Sequence, residues 1–408
     1  MQSAYFAYCC YHEQVSVIGL TTGAIVGYKY FVMTVKNGES LKSGGAEDMN
    51  RNLRFQYHFE PQKGWMNDPN GLIYFRGQYH AFFQHNPYAP RWGKMHWGHA
   101  VSSDLIHWQE LPIALYPDQA YENAGGCYSG SAVEKDGRLY LFYTSVSRRW
   151  GQTQSVAYSD DGIHFTKYAA NPVIPENPLG YSDFRDPKVT CIDGKYYMVV
   201  GTGDKCTGKV LLFASADLLQ WEYIGVLFEG AEYAECMECP DFFKLGSKYV
   251  LMFSKIHEKE RAVHFVTGDF VNGKLVNYTI SRPEWGPDFY APQTLLAGER
   301  RIMIGWMYHW GKRAPLGCKF AGALSIPREL TLSGNAVQNY PVQEARPLLK
   351  KESPYVQAEG NRLILINRRK QKTIWQLPFI ETVDILEDTK SVEVFVNGGA
   401  ASFSYWLK

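Results

Sequence analysis

Gly64-Trp65-Met66-Asn67-Asp68-Pro69-Asn70-Gly71 sets one carboxylate, Asp68, between an amide and a proline at the mouth of a predicted strand, Leu72 to Phe75. Proline donates no ladder hydrogen bond, and Gly71 permits backbone geometry that other residues resist. The carboxylate is therefore expected where strand pairing begins, held yet open to a ligand. Two later stretches have the same form: Phe184-Arg185-Asp186-Pro187 ahead of a strand around Val189, and Glu238-Cys239-Pro240-Asp241 ahead of one around Phe242. Repetition of this kind points to a repeat architecture.

Tight-turn glycines give the period. Gly77, Gly137, Gly194, Gly246 and Gly298 each sit between two β-rich runs, at intervals of 60, 57, 52 and 52 residues. Five hairpins at this spacing predict an all-β fold, a five-bladed propeller with four-stranded blades. A second series reads as the outer-strand turns of the blades: Ser103-Asp104-Leu105 to Trp108, Ser159-Asp160-Asp161 to Phe165, Ser215-Ala216-Asp217-Leu218 to Trp221, and a weaker Thr267-Gly268-Asp269-Phe270.

Asp68 lies nine residues before its turn glycine, and Ser129, Asp186, Glu238 and Tyr290 lie eight before theirs. If matching strands line the central channel, all five side chains converge on its rim. An exposed acid at a strand start is ordinary for any single Asp, but three in phase from separate blades argue for one active site at the axial end.

Composition narrows the class. The 408 residues allow two domains and a large core, and 15% aromatics with 28 tyrosines suits an all-β protein that handles polar ligands. A net charge of +1 with scattered Arg and Lys argues against a nucleic-acid partner. The eight cysteines form no paired zinc spacing, and the lone Cys236-x-x-Cys239 encloses Glu238, so free thiols in a reducing, cytoplasmic compartment are the simpler account.

Residues 1–50 read as an atypical extension. Val15 to Tyr28 is uncharged but contains Thr21, Thr22 and three glycines, short of a span of about 20 apolar residues, so no membrane partner is expected. No secretory signal pattern is present. Ser43-Gly44-Gly45 can be encoded by a purine-rich run resembling a bacterial ribosome-binding site just upstream of Met49, which makes Met49 the expected natural start.

From Arg54 onward Trp, Tyr and His are dense. Gln84 ends the second strand with an amide able to bond sugar hydroxyls, and Trp92 and Trp97 follow on a glycine-containing loop. Trp92 suits either a sugar-stacking platform or core packing. His85, His96 and His99 come from separate turns and read as packing or hydrogen-bonding residues, with no metal and no cofactor implied.

Trp65-Met66-Asn67-Asp68-Pro69-Asn70-Gly71, Trp97-Gly98-His99-Ala100, Tyr128-Ser129-Gly130-Ser131, Phe184-Arg185-Asp186-Pro187 and Glu238-Cys239-Pro240, in this order, resemble glycoside hydrolase family 32, the invertase and fructanase family. The resemblance covers about Arg54 to Tyr340 and implies a five-bladed propeller. It also implies Asp68 as nucleophile, Glu238 as acid/base, and Asp186 with Arg185 as transition-state stabiliser. Trp65, Asn67, Gln84, Trp92, Tyr128 and Ser129 resemble sugar-binding positions, with Trp306 completing the subsite.

The chemistry asks for such a set. Retaining cleavage of a fructofuranoside needs one acid to protonate the leaving oxygen and a carboxylate on the opposite face to attack the anomeric carbon. Glu238, flanked by Met237, Cys239 and Pro240, is expected to have its pKa raised, Asp68 to stay ionised, and Arg185 to keep Asp186 charged.

Domain limits are expected at 51–340 for the propeller and 341–408 for a short, abbreviated β-sandwich-like module, with strands over Arg362 to Ile366 and Ser391 to Gly399. Glu393, in an alternating strand, reads as a solvated face residue and not a fourth catalytic acid. The leading function is a β-fructofuranosidase acting on sucrose or sucrose 6-phosphate, with Arg148, Arg149, Lys312 and Arg313 as candidate phosphate contacts. Exo-hydrolysis of a fructan such as inulin or levan, or fructosyl transfer, uses the same acids. A non-catalytic sugar-binding propeller is the remaining alternative, disfavoured by three intact acids.

Overall fold

A computed structural model describes residues 54–233, 235–257, 260–307 and 317–407. The expectations for residues 1–50, including the start at Met49, and for Lys312 and Arg313 lie outside these residues.

The chain is built almost wholly of strands. The first sheet contains β1 (Gly64–Phe75), β2 (Gln78–Asn86), β3 (His96–Ser102) and β4 (Trp108–Leu115), and the second contains β5 (Gly126–Lys135), β6 (Arg138–Ser147), β7 (Gly151–Ser159) and β8 (Thr166–Lys167). The third comprises β9 (Phe184–Ile192), β10 (Lys195–Gly203), β11 (Gly208–Ser215) and β12 (Glu222–Gly230). The fourth comprises β13 (Cys236–Leu245), β14 (Lys248–His257), β15 (Glu260–Val271) and β16 (Lys274–Ser281). In the fifth, β17 (Tyr290–Ala297) and β18 (Arg300–Trp306) are followed by β19 (Phe320–Ala321), which crosses to pair parallel with β1, and then by β20 (Arg328–Ser333) and β21 (Ala336–Pro341).

The first strands of the five sheets touch in a closed cycle, β1 to β5, β9, β13, β17 and back to β1. The sheets are thus the five blades of a propeller, and the inner strands line its axis.

Each inner hairpin turns on two residues. In the first three blades both have positive φ, as in Asp136 (55°) and Gly137 (78°); in the fourth and fifth, Gly246 (58°) and Gly298 (61°) lead the turn. Both arrangements match the right-handed twist of the flanking strands. The outer turns repeat equally well. Asp104, Asp161 and Asp217 each accept two backbone N–H groups from residues two and three positions on, at 2.8–3.0 Å. The indole N–H groups of Trp108 and Trp221 close the same turn on the carbonyls of Leu105 and Leu218. The fourth member expected from the sequence is not a turn. Thr267 to Phe270 runs inside β15 around a bulge, and the chain reverses at Asn272-Gly273, where both φ values are positive.

Sheets packed on both faces need apolar residues on both, which explains unbroken runs such as Leu139 to Tyr143. Leu141 and Tyr143 pack towards the first blade with Phe82 and Trp97, whereas Phe142 packs towards the third with Val189 and Met198. Each such side chain removed from water contributes roughly 1.5–3 kcal/mol before entropy is counted.

Beyond the ring, β22 (Val356–Glu359), β23 (Arg362–Ile366) and β24 (Lys372–Gln376) form one three-stranded sheet, and β25 (Val383–Glu387), β26 (Ser391–Val396) and β27 (Ala401–Trp406) form another. They share a core of Val356, Leu363, Leu365, Ile385, Val394 and Phe403.

Glu393 overturns its expected role on a solvated face, being fully buried where this module meets the propeller. It binds Arg328 and lies 2.7 Å from His58 Nε2, while His58 Nδ1 lies 2.7 Å from Asp388. Arg328 also binds Glu284, Asn339, Ser402 and Ser404. The alternation along β26 does not mark a wet face because both faces of the strand are covered.

Candidate active site

The three acids lie inside their strands and not ahead of them. Pairing of every inner strand with its neighbour slips at a corresponding place, between Met66 and Pro69, Cys127 and Gly130, Arg185 and Lys188, Glu238 and Asp241, and Tyr290 and Gln293, and the first strand slips again between Asn70 and Ile73. In four blades the slip takes in a proline, which has no N–H for the ladder; bulging the strand there avoids a lost bond and re-aims the adjacent side chain. Asp186, Cys239 and Ala291, each just before its proline, have φ of 65°, 47° and 48°. In the second blade Gly130 takes the proline's place, because a Cβ there would lie 1.9 Å from the carbonyl oxygen of Phe142.

The bulges bring the five in-phase residues into contact across blades. Ser129 Oγ donates to Asp68 Oδ2 at 2.6 Å, and the Cys239 backbone N–H donates to Asp186 Oδ2 at 2.8 Å. Tyr290 donates its hydroxyl to Glu238 Oε2 at 2.5 Å, and Arg185 Nη2 donates to Glu238 Oε1 at 2.9 Å. The Cys239 thiol lies 3.5 Å from Asp68 and 3.6 Å from Asp186. Asp68, Asp186 and Glu238 line a single cavity of about 300 Å³.

Asn67, Gln84, Trp92, Tyr128, Ser129 and Arg185 line the same cavity. Gln84 is held by a bond from its amide nitrogen to the Cys127 carbonyl at 3.0 Å. Trp92 stands half-exposed at the rim, edge-on to Tyr128 at 6.3 Å, so of its two readings the rim position agrees with the platform and not with the core. Trp97 belongs to β3 and not to the loop; it is fully buried and donates to the Tyr128 carbonyl.

Trp65 and Trp306 sit behind the wall and do not line the cavity. The Trp65 indole donates to Asn67 Oδ1 at 2.7 Å, orienting that amide, and Trp306 is fully buried against Trp65 with ring centroids 5.7 Å apart. A subsite completed by Trp306 is therefore not what the fold provides: β18 points its indole inward, to support Trp65. The three histidines of this region are buried in hydrogen bonds, His85 to the Trp65 carbonyl, His96 to the Lys94 carbonyl and His99 to His80. Among the described residues no group of three or more His, Cys, Asp or Glu is placed to hold a metal ion.

The charge pattern differs from the one expected. Burial raises the pKa of Asp68, against the opposing hydrogen bonds of Ser129 and Asn67. Asp68 keeps part of its surface exposed because it lines the cavity. Asp186 is pushed up to about 7, chiefly by burial, with Glu238 and Asp68 adding to it and Arg185 opposing. Arg185 does not hold Asp186 ionised because its guanidinium is turned to Glu238 and Asp183. Met237 packs in a buried apolar cluster and the Cys239 thiol lies against Asp68 and Asp186, while Glu238 faces the cavity.

Tyr290 is placed at the channel rim by the sequence but without a role, and Arg261, Ile256 and Cys239 are not among the residues expected there. Tyr290 carried a signal in its phase with the acids, and Cys239 in the Cys-Pro step; Arg261 and Ile256, facing each other across β14 and β15, carried none. A second cavity, of about 310 Å³, lies among Arg54, Tyr57, Glu60, Ile106, Trp108 and Glu110 and contains none of the three acids.

Carboxylates from separate blades, set around a small polar axial cavity rimmed by tryptophan and tyrosine, define a sugar-cleaving propeller hydrolase. Residues 58–341 match the model of the glycosyl hydrolases family 32 N-terminal domain. The chain is 36% identical to a raffinose invertase of Escherichia coli, over 85% of this chain and 88% of that protein. It is 35% identical to a sucrose-6-phosphate hydrolase of Bacillus subtilis, over 86% and 77%. Among solved structures it superposes on a mutant Bombyx mori β-fructofuranosidase in complex with sucrose, with a TM-score of 0.78 and 29% identity over 89% of this chain and 90% of that one. The chain belongs to glycoside hydrolase family 32.

Proposed function

We propose that this protein is a retaining β-fructofuranosidase that hydrolyses sucrose or sucrose 6-phosphate by double displacement. The observation that carries the reading is the meeting of Asp68, bonded by Ser129, and Glu238, held by Tyr290 and Arg185, in the lining of one cavity. In the first step Asp68 attacks the anomeric carbon of the fructosyl unit while Glu238 gives its proton to the glycosidic oxygen; the carbon–oxygen bond breaks and the hexose leaves. In the second, Glu238 takes a proton from water, which attacks the same carbon and releases Asp68. Asp186 accepts hydrogen bonds from the fructosyl hydroxyls, and Gln84, Asn67 and Trp92 fix the ring.

The names of the relatives, invertase and sucrose-6-phosphate hydrolase, support a small sucrose-type substrate ahead of a fructan. We read the enzyme as cytoplasmic, which the free thiols of Cys127, Cys191, Cys206, Cys236, Cys239 and Cys318 support. Among the described residues no helix is long and apolar enough to cross a membrane. The test is product analysis on sucrose, sucrose 6-phosphate, inulin and levan. Release of fructose from the first two, faster than from the polymers, is expected. Faster release from inulin or levan would replace the reading with a fructan hydrolase, and kestose formed from sucrose would replace it with a transferase.

A further inference from the structure

We propose that Arg261 sets leaving-group specificity by binding a phosphoryl group carried by the departing hexose. This deepens the fructofuranosidase reading and rests on it. Two guanidinium groups line the cavity, Arg185 and Arg261. Arg185 is committed, bonded to Asp183 and to Glu238. Arg261 is exposed, and among the described residues no carboxylate forms an ion pair with it. A cation that faces a sugar pocket and is ion-paired to no carboxylate among the described residues fits a substrate that brings an anion.

Its position says which half of the substrate that is. The Arg261 guanidinium lies over the ring of Tyr290, 5.3 Å from the centroid, and the hydroxyl of that ring bonds Glu238. In the proposed reaction Glu238 protonates the leaving oxygen, so contact with the tyrosine that holds Glu238 places Arg261 beside the leaving group. Stacking on an aromatic face leaves the planar N–H fork free at its edge, the geometry that takes two phosphate oxygens at once. Neutral glucose has no equivalent demand for charge. Arg148 and Arg149, the candidates from sequence, lie in the turn between β6 and β7 and do not line the cavity. Arg261 escaped that reading because only the pairing of β14 with β15 carries it to the pocket wall.

The experiment compares kcat/KM for sucrose 6-phosphate and sucrose in the wild type, Arg261→Gln and Arg261→Lys, together with product inhibition by glucose 6-phosphate and glucose. Loss of a charge-assisted bond to phosphate predicts that the ratio of the two specificity constants falls by about 10- to 100-fold in Arg261→Gln. Arg261→Lys, which keeps the charge and loses the fork, is expected to fall between. Glucose 6-phosphate should inhibit the wild type more strongly than glucose, and the difference should vanish in Arg261→Gln. An unchanged ratio, or equal inhibition of the wild type by the two products, overturns the proposal while leaving the fructofuranosidase reading intact. Failure of the wild type to cleave either sugar, with glucose 6-phosphate still bound through Arg261, would instead sink that reading and leave the anion site standing.

Discussion

Ser129 Oγ lies 2.6 Å from Asp68 Oδ2, joining the first two blades across the channel through residues 61 positions apart. The hydroxyl favours the ionised carboxylate against the desolvation that raises its pKa. Ser129→Ala is expected to lower kcat/KM by about 10- to 100-fold, as loss of a hydrogen bond to a charged group. If Asp68 acts as the proposed nucleophile it must be deprotonated, and the acid limb of the pH–rate profile should move to higher pH. A limb that stays in place would show that the contact does not support the carboxylate.

Glu238→Ala should lose roughly 100- to 10,000-fold on sucrose, the range for removal of a general acid. Loss on an aryl fructofuranoside, whose leaving group departs without a proton, should be smaller. Equal losses on both substrates, read from single-turnover kinetics, would argue against proton transfer by Glu238.

Asp186 is strained electrostatically, with its pKa pushed up to about 7 mainly by burial. Its folded pKa exceeds the unfolded value, so between the two the folded state binds more protons, and stability from this group falls as pH rises towards 7. Asp186→Asn removes that penalty while keeping the shape. We expect Tm to rise more at pH 8 than at pH 4, alongside a loss of activity of about 100-fold or more. Calorimetry showing the same Tm change at both pH values would contradict the burial argument.

His58 is fully buried between Asp388 and Glu393. Burial alone would lower its pKa, but the hydrogen bonds it donates to the two carboxylates outweigh this and hold it at about 9. Its contribution to stability is complete below the ordinary value of 6.5 and is lost as pH rises through 9. Burial would raise Glu393, yet Arg328 and His58 bring it to about 2, so its contribution is present above 4.5 and lost as pH falls through 2. His58→Leu should cost about 3–5 kcal/mol by leaving buried acids without their partner, and should flatten the decline of Tm between pH 7 and 10. An alkaline decline equal to the wild type's would assign it to other groups.

Much of this protein is legible along the chain because its information is local. Turn chemistry repeats at Gly77, Gly137, Gly194, Gly246 and Gly298, and counting back from each glycine reaches the residues that meet at the axis. The misreadings concern what surrounds a side chain. Glu393 in an alternating strand suggests one open face, Trp306 enters as a subsite through the family resemblance, and Thr267 to Phe270 resembles the outer turns of the other blades in residue type; burial, packing and a bulge inside β15 decide otherwise.

The sequence by itself determined the five-fold repeat, the all-β character and the phase that aligns Asp68, Ser129, Asp186, Glu238 and Tyr290, since period and turn geometry depend on neighbours in the chain. Only the tertiary structure decided which oxygen each of these groups bonds, that burial falls on Asp68 and Asp186, and that Arg261 reaches the wall beside Tyr290. Hydrogen bonds and desolvation act over a few ångströms of space, and ring closure sets those distances between residues far apart along the polypeptide.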